Sequence, residues 1–449
     1  MPRRSKPPAP DDAAQKRQRR SRSRHAGSIA DYPTKQGQRW KFQIYVPRDP
    51  EKPELGEFRI TRGAATRVAT LGRCLIRALT KPQQGSPDLL VRRLRMLEPT
   101  VISAWRRLQA AGGVPSPFLT WQWCTGVLSE PDTASGTSVC VVERHGAIIG
   151  LFPVEQTSVA GLQTLGPAGW QWLAPDHLDV VALPQDRSEV ARATARDILS
   201  RGGVDVVDLD GLADRSALAL ALTGSNPRLT RRRVVHRRIE HTVTPYLSLD
   251  RRPVLRSASL RSQVGRGLRA VERAGGSFAV STDPQDVVDR LDELMRLHVE
   301  RFGEASAVFA TEDRRRAHRI AARQLAFDGL ARIYRLQGPE ADVGLLYALR
   351  HGATLSYYSS GMRPGVFSSP GRTLLGLVAM AAAEDGLDEL DLLRGDHEYK
   401  ERFASGVRSD LRIRLVKATP AVGAAAARRL PAGLTLLVER LRPGPSGTS

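Results

Sequence analysis

Residues 368–403, SSPGRTLLGLVAMAAAEDGLDELDLLRGDHEYKERF, decide how the rest of the chain is read. Ser369 is a natural N-cap, and Pro370 suits the first helical position, where a missing N–H costs nothing. Leu374, Leu375, Leu377, Val378 and Met380, with the alanines around them, build a helix that Gly386 ends. Leu387–Leu393 then reads as a short strand of mixed exposure. It runs into Arg394-Gly395-Asp396-His397-Glu398-Tyr399-Lys400, polar or ionisable side chains around one glycine. Polar density just past a strand end, in an α/β pattern, is where ligands tend to bind.

Working outward, the same alternation repeats. Ala331–Leu336, Asp342–Leu349 and Thr354–Gly361 read as an antiparallel meander, preceded by helices over 254–274, Asp286–Phe302 and Asp313–Phe327. Residues 114–250 form another α/β unit with an antiparallel opening. Its strands are expected at Ser138–Glu143, Ala147–Val154, Val159–Leu165, Leu178–Leu183 and Val204–Leu209, and its helices at Arg187–Ser200 and Leu212–Leu222. Leu94, Leu97, Val101, Trp105 and Leu108 predict a helix running from Leu89 toward Ala111. Pro245 and Pro253 bracket a junction, Arg412–Val416 is a last strand, and Leu434–Leu441 is helical behind Pro431. The expected organisation is a basic, largely disordered leader over 1–88, α/β units over 89–250 and 251–418, and a helix and tail over 419–449.

The net charge of +21 is unevenly spread. Residues 1–110 hold 25 Lys/Arg against 9 Asp/Glu, and the remaining 339 hold 43 against 38. The high overall charge therefore reports mainly the leader, where Arg17, Arg19, Arg20, Arg22 and Arg24 lie among few apolar residues. The leader is expected to be either a solvated tail or a tether to nucleic acid or an anionic surface. Within it, Trp40–Val46 alternates like a strand. Cys74, Cys124 and Cys140 make neither a disulfide framework nor a zinc site, and no HxH or HExxH spacing implies a metal. No apolar run approaches the roughly 20 residues needed to cross a bilayer, and no secretory h-region is evident, so a cytoplasmic location is expected.

On the 254–274 helix, Leu260, Val264, Leu268 and Val271 form one stripe, and Arg266, Arg269 and Arg273 another. The second is either a solvated face or a clamp for an anionic ligand. Gly265-Arg266-Gly267 lacks a third glycine and sits inside helical periodicity, so it is no dinucleotide fingerprint.

Tyr357-Tyr358-Ser359-Ser360-Gly361, Ser369-Pro370-Gly371, the helix, Asp391-Leu392-Leu393-Arg394-Gly395-Asp396, and Tyr399-Lys400 with Phe403 together resemble the GNAT-type acyltransferases of the CelD/BcsL group. These are distantly related to Fem-type aminoacyl transferases. The likeness is strongest over about 254–405; Pro117-Phe118 with Trp121, and Gly146 to Pro153, extend it to about 114–405. It implies an α/β (α+β) fold of two tandem GNAT-like units, with mixed, mainly antiparallel sheets flanked by helices. It further implies transfer from acetyl-CoA or another acyl-CoA to an amine or hydroxyl of a small or saccharide acceptor. Ser368, Ser369, Gly371, Arg372 and Thr373, at the helix start, would take the pyrophosphate. The glycine-rich R/Q-x-x-G-x-G/A signature of ordinary GNAT enzymes is missing there. Lys400 matches the lysine of the Fem-like pattern and would offer positive charge to an oxyanion or a substrate phosphate. Asp396 would orient the acceptor, His397 or Tyr399 would move the proton, and Arg394 with the arginine stripe would bind an anionic substrate. The local alternative is that Asp396 caps a short helix and pairs with Lys400. An aminoacyl-tRNA-dependent transferase and a non-catalytic GNAT-like binding protein are the rival functions.

Overall fold

The computed structural model describes residues 89–429 apart from 129–135, 225–233, 304, 305, 307, 364, 366–368 and 396–397, together with three strands before residue 61. Those three, β1 (Ser28–Thr34), β2 (Gly37–Pro47) and β3 (Glu57–Ile60), form an antiparallel sheet within a compact unit ending at Pro87. The alternating Trp40–Val46 patch falls inside β2. The arginines at 17–24, Cys74 and the 434–441 helix lie outside the described residues.

The second unit, Asp88–Ser449, is built on one long sheet. It begins with β4 (Leu89–Leu94), helix α1 (Pro99–Ala110), a 3-10 turn at Pro117–Leu119 and α2 (Trp121–Val127). The helix expected from Leu89 is therefore half strand. Leu94, Leu97 and Val101 keep helical spacing by coincidence, and Pro99 admits a helix only after it. Then come β5 (Thr137–Arg144), β6 (Ala147–Val159), β7 (Leu162–Pro167), α3 (Trp170–Leu173), β8 (Val181–Ala182), α4 (Pro184–Ser200), β9 (Val206–Ala213) and α5 (Ala217–Thr223). Leu212, expected to open a helix, lies inside β9, and Ser216 caps α5 by accepting from the Ala219 N–H at 3.1 Å.

β10 (Val234–Ser248) follows, and is longer than any strand the sequence suggested. Pro245 lies within it rather than at a junction. Next are α6 (Ala258–Arg273), β11 (Ser277–Ser281), α7 (Pro284–Phe302), α8 (Glu312–Phe327), β12 (Ala331–Gln337), β13 (Asp342–His351), β14 (Thr354–Met362), α9 (Pro370–Glu384), β15 (Glu389–Asp391), α10 (Glu398–Phe403), β16 (Gly406–Lys417) and α11 (Pro420–Arg429).

The strand order β11-β12-β13-β14-β15-β10-β16-β9-β7-β6-β5-β4 contains one pattern twice. An antiparallel meander (β5-β6-β7, then β12-β13-β14) is followed by a helix (α4, then α9) and a strand parallel to the last of the meander (β9 beside β7, then β15 beside β14). The repeats are tied by exchange. β10, leaving the first, pairs with β15 of the second, and β16, ending the second, pairs with β9 of the first. β10 and β16 pair with each other from Val234 to Tyr246. One core runs through both repeats, from Trp105 and Trp123 to Leu294, Phe309 and Tyr347. Another, with Leu260, Val264, Leu346, Leu374 and Val378, lies under α6 and α9. There the helices nearly touch. A Cβ on Gly267 would meet Thr373, and one on Gly376 would meet Val264 at 2.4 Å. Close packing against α9 accounts for Gly267 of the Gly-Arg-Gly.

Candidate active site

The site is made by two strands that part. β14 and β15 pair only through Thr354–Ser356 and Glu389–Asp391, yet β14 continues to Met362. At Tyr358 the register of β14 against β13 slips, a bulge that bends the strand just past its last pair with β15. On the other side Pro245 accepts from the Leu392 N–H at 3.0 Å but has no N–H to return, so the β10–β15 ladder stops. A gap opens beyond Ser356 and Asp391.

α9 begins at the mouth of this gap, since Gly371 lies against Met362 at the end of β14. Ser369 occupies the cap position, but in the left-handed region (φ 57°) and without a side-chain hydrogen bond to the helix. The expected cap by Ser369 is therefore not formed, and among the described residues the positive end of the helix dipole meets no capping side chain. Arg372 is half-buried beside it, with Nη1 donating to Gln263 Oε1 at 2.5 Å.

Lys400 lies deep in the gap, 7% exposed. Its Nζ donates to the carbonyl of Arg394 at 2.6 Å and lies 3.5 Å from that of Leu393. The Tyr357 ring centroid is 5.9 Å away. Burial pulls the Lys400 ammonium down to about 8, against the opposing pull of the Asp176 and Asp391 carboxylates. Tyr357 Oη is 2.6 Å from Ser360 Oγ, and Tyr399 Oη is 3.5 Å from Tyr357 Oη. Tyr399 is 41% exposed; its partial burial, with the neighbouring Tyr357, pushes the phenol above its usual range, so it stays protonated. The bulged Tyr358 turns the other way and donates to Leu173 O at 2.6 Å, tying β14 to the first repeat.

Behind Lys400 lies a polar layer the sequence did not announce. His177 Nδ1 is 2.8 Å from Asp410 Oδ1, and Nε2 is 2.7 Å from Asp391 Oδ2. The backbone N–H of His177 also donates to Asp410 at 2.8 Å. Burial disfavours an imidazolium here, but the hydrogen bonds and charges of Asp391 and Asp410 outweigh it and raise the ring to about 11. The two carboxylates therefore favour the imidazolium form of His177. Asp176 is buried and paired with the Arg394 guanidinium, which also reaches Pro175 O at 3.0 Å and Asp210 at 3.5 Å.

The structure thus brings Lys400 and Tyr399 together with Tyr357 and Ser360, and places Ser369, Gly371 and Arg372 at the mouth. Asp396, His397 and Ser368 lie outside the described residues. Thr373 is buried against Gly267, so its hydroxyl is turned from the mouth. Arg394 is committed to Asp176 and Asp210. Lys400 donates to the Arg394 carbonyl, a contact the expected helix-turn pairing with Asp396 did not foresee. Arg266, Arg269 and Arg273 are exposed on α6; Arg266 bonds Ser262 at 2.7 Å, and Arg273 bonds the Arg269 carbonyl at 3.2 Å. A cavity of about 360 Å³ at the β12–β13 turn, lined by Arg290, Arg335, Glu293 and Asp342, shares no lining residue with the gap. Among the described residues no group of His, Cys, Asp and Glu is arranged to hold a metal ion. No helix there is long and apolar enough to cross a membrane.

Parting parallel strands with a helix starting at their mouth define an acyltransferase architecture, present here in two GNAT-like repeats. Residues 258–401 match the acetyltransferase (GNAT) domain, so the second repeat is such a domain and the protein an acyltransferase. No curated protein matches the chain. Among solved structures, a tandem GNAT protein from the clavulanic acid biosynthesis pathway is 15% identical, with a TM-score of 0.40 over 74% of this chain and 99% of that one. L-PGS from Bacillus licheniformis is 13% identical, with a TM-score of 0.41 over 65% and 85%. FemX is 13% identical, with a TM-score of 0.40 over 64% and 94%. At such identities and scores these neighbours say nothing of what this chain acts on.

Proposed function

We propose that this protein is an acyl-CoA-dependent N- or O-acyltransferase of the CelD/BcsL group, acting on an amine or hydroxyl of a small or polysaccharide-precursor acceptor. The division proposed is an N-terminal GNAT-like unit over 89–250 and a C-terminal, reacting unit over 251–418. The observation that carries the reading is the gap between β14 and β15, with Lys400 at its base and the uncapped start of α9 at its mouth.

The residues present fit an acyl-CoA. The start of α9, with Gly371 and Arg372, suits a pyrophosphate. The edge of β14 past Ser356 carries peptide groups that β15 does not pair, and the amides of a pantetheine arm match them. The bound thioester supplies the activated acyl group. Lys400, charged below about pH 8, aims an N–H donor at the oxygen on which charge develops as the acceptor attacks. The Tyr399 phenol, linked through Tyr357 to Ser360, or His397, which lies outside the described residues, would carry the proton that the acceptor loses to the departing thiolate. Asp396, which lies outside the described residues, keeps its role of orienting the acceptor. Incubating purified protein with radiolabelled acetyl-CoA and a panel of amines and sugars tests this. Transfer to at least one acceptor is expected; neither transfer nor hydrolysis across the panel would overturn it.

A further inference from the structure

We infer that Asp176, contributed by the first repeat, is the positioning residue that aims Lys400 of the second. This rests on the reading of Lys400 given above. The segment that aims Lys400 is irregular backbone: Leu393 is left-handed (φ 54°) without being glycine, and Gly395 has a φ of 118°. Such a conformation persists only where its surroundings over-determine it. Within its own repeat, this segment is held by the Leu393 N–H donating to Asp391 Oδ1 at 2.9 Å. The further restraints come from the first repeat. Asp176 grips the Arg394 guanidinium through Nε and Nη2, and its second oxygen lies 3.5 Å from the Arg394 backbone nitrogen. Pro175 O also accepts from Nη2, at 3.0 Å, and Asp210 Oδ1 lies 3.5 Å from Nη1. Gly211 backs this grip so closely that a Cβ there would lie 2.4 Å from Pro175 O and 3.0 Å from Arg394 Nη2. The carbonyl of that pinned arginine is the one that takes Lys400 Nζ at 2.6 Å. The route runs from carboxylate to guanidinium to carbonyl to ammonium, and it crosses from one repeat to the other.

The charged and titratable groups facing Lys400 are Asp176 from the loop after α3, Asp391 from β15, Arg394 beyond it, Tyr357 from β14 and Tyr399 on its own helix. His177, Asp210 and Asp410 stand one contact further out. Asp176→Asn keeps the shape and removes the charge. It should lower kcat about ten- to a hundredfold while KM for acetyl-CoA stays within about threefold, because the lost interaction belongs to the transition state. In a Lys400→Met background the same change should cost nothing more, since residues acting through one another are not additive.

A readout independent of activity is competitive labelling of Lys400 with acetic anhydride across pH, followed by mass spectrometry. The midpoint should fall by about half a unit or more in Asp176→Asn, because a neighbouring negative charge has been removed. If that variant does not fold, Asp210→Asn, which touches the same guanidinium, should show a smaller shift of the same sign. Additive losses with an unmoved Lys400 midpoint would overturn the positioning role while leaving Lys400 in place. Wild-type kinetics in Lys400→Met alone would instead overturn the reading on which it rests.

Discussion

The two repeats share a topology but not an open site. In the first, β7 and β9 run parallel through two pairs, Thr164–Val206 and Leu165–Val207, before parting, as β14 and β15 do after three. Yet what lies beyond them is spent. Asp208 is taken by Arg412 and Arg414 of β16, with bonds of 2.8 Å from Arg412 and 3.1 Å from Arg414 Nε. Asp210 turns to Arg394, Glu155 accepts from the Gly169 N–H at 3.1 Å, and the Arg412 guanidinium lies over the Trp170 ring. In the second repeat, Lys400, Tyr357, Ser360 and Tyr399 stand at the parted strands instead. On the proposed reading, one fold used twice gives a scaffold and a site.

The sharpest way to break this contrast is Lys400→Met. Turnover should fall roughly ten- to a thousandfold, a few kcal/mol of transition-state stabilisation, with folding intact because methionine keeps length and apolar stem. Since the active form is the ammonium and its titration lies near 8, wild-type turnover should also decline as pH rises through about 8.

On the scaffold side, His177→Gln should cost stability in a pH-dependent way. The folded ring titrates near 11, above its ordinary 6.5, so the native state holds an extra proton between these values. Its contribution is fully present below about pH 6.5 and is lost as pH climbs toward 11. Melting temperatures should show a larger deficit for the variant at pH 6 than at pH 9.5, and an equal deficit would mean the ring is neutral. Asp208→Asn should cost about 1–3 kcal/mol, from charge-assisted hydrogen bonds left unmade, with turnover within about twofold. Chemical denaturation beside an activity assay checks both halves of that statement. Smallest of all, reversing Arg266 and Arg269 to Glu should move the melting temperature by about 1 °C or less, because exposed charges contribute little to folding. A KM for acetyl-CoA raised well beyond about twofold would place that stripe in the site after all.

How much of this was legible follows the range over which each signal acts. The helix α9, the β12-β13-β14 meander and the helix α6 carry their own periodicity and end signals, Pro370 and Gly386 above all. Lys400 could be singled out because most of the residues around it, from Tyr357 to Phe403, lie in one stretch of chain. β10 was not legible: Val235, Ile239 and Val243 are exposed, basic residues alternate with them, and Pro245 argues against a central strand. β11 is too short to show a period. Asp176 and His177 were beyond reach for a different reason. Their partners Arg394 and Asp410 lie 218 and 233 residues away, and only the exchange of β10 and β16 brings them together.

The account stands most directly on whether the gap in the second repeat takes an acyl-CoA. Thermal unfolding of the whole protein with increasing acetyl-CoA measures this without knowing the acceptor. A ligand that binds only the folded state stabilises it by about 2.7 kcal/mol at a hundred times its Kd. The melting temperature should therefore climb by several degrees as acetyl-CoA rises to millimolar concentration, and Ser360→Trp, which fills the gap, should abolish the rise. An unmoved melting temperature in the wild-type protein at millimolar acetyl-CoA would contradict the account.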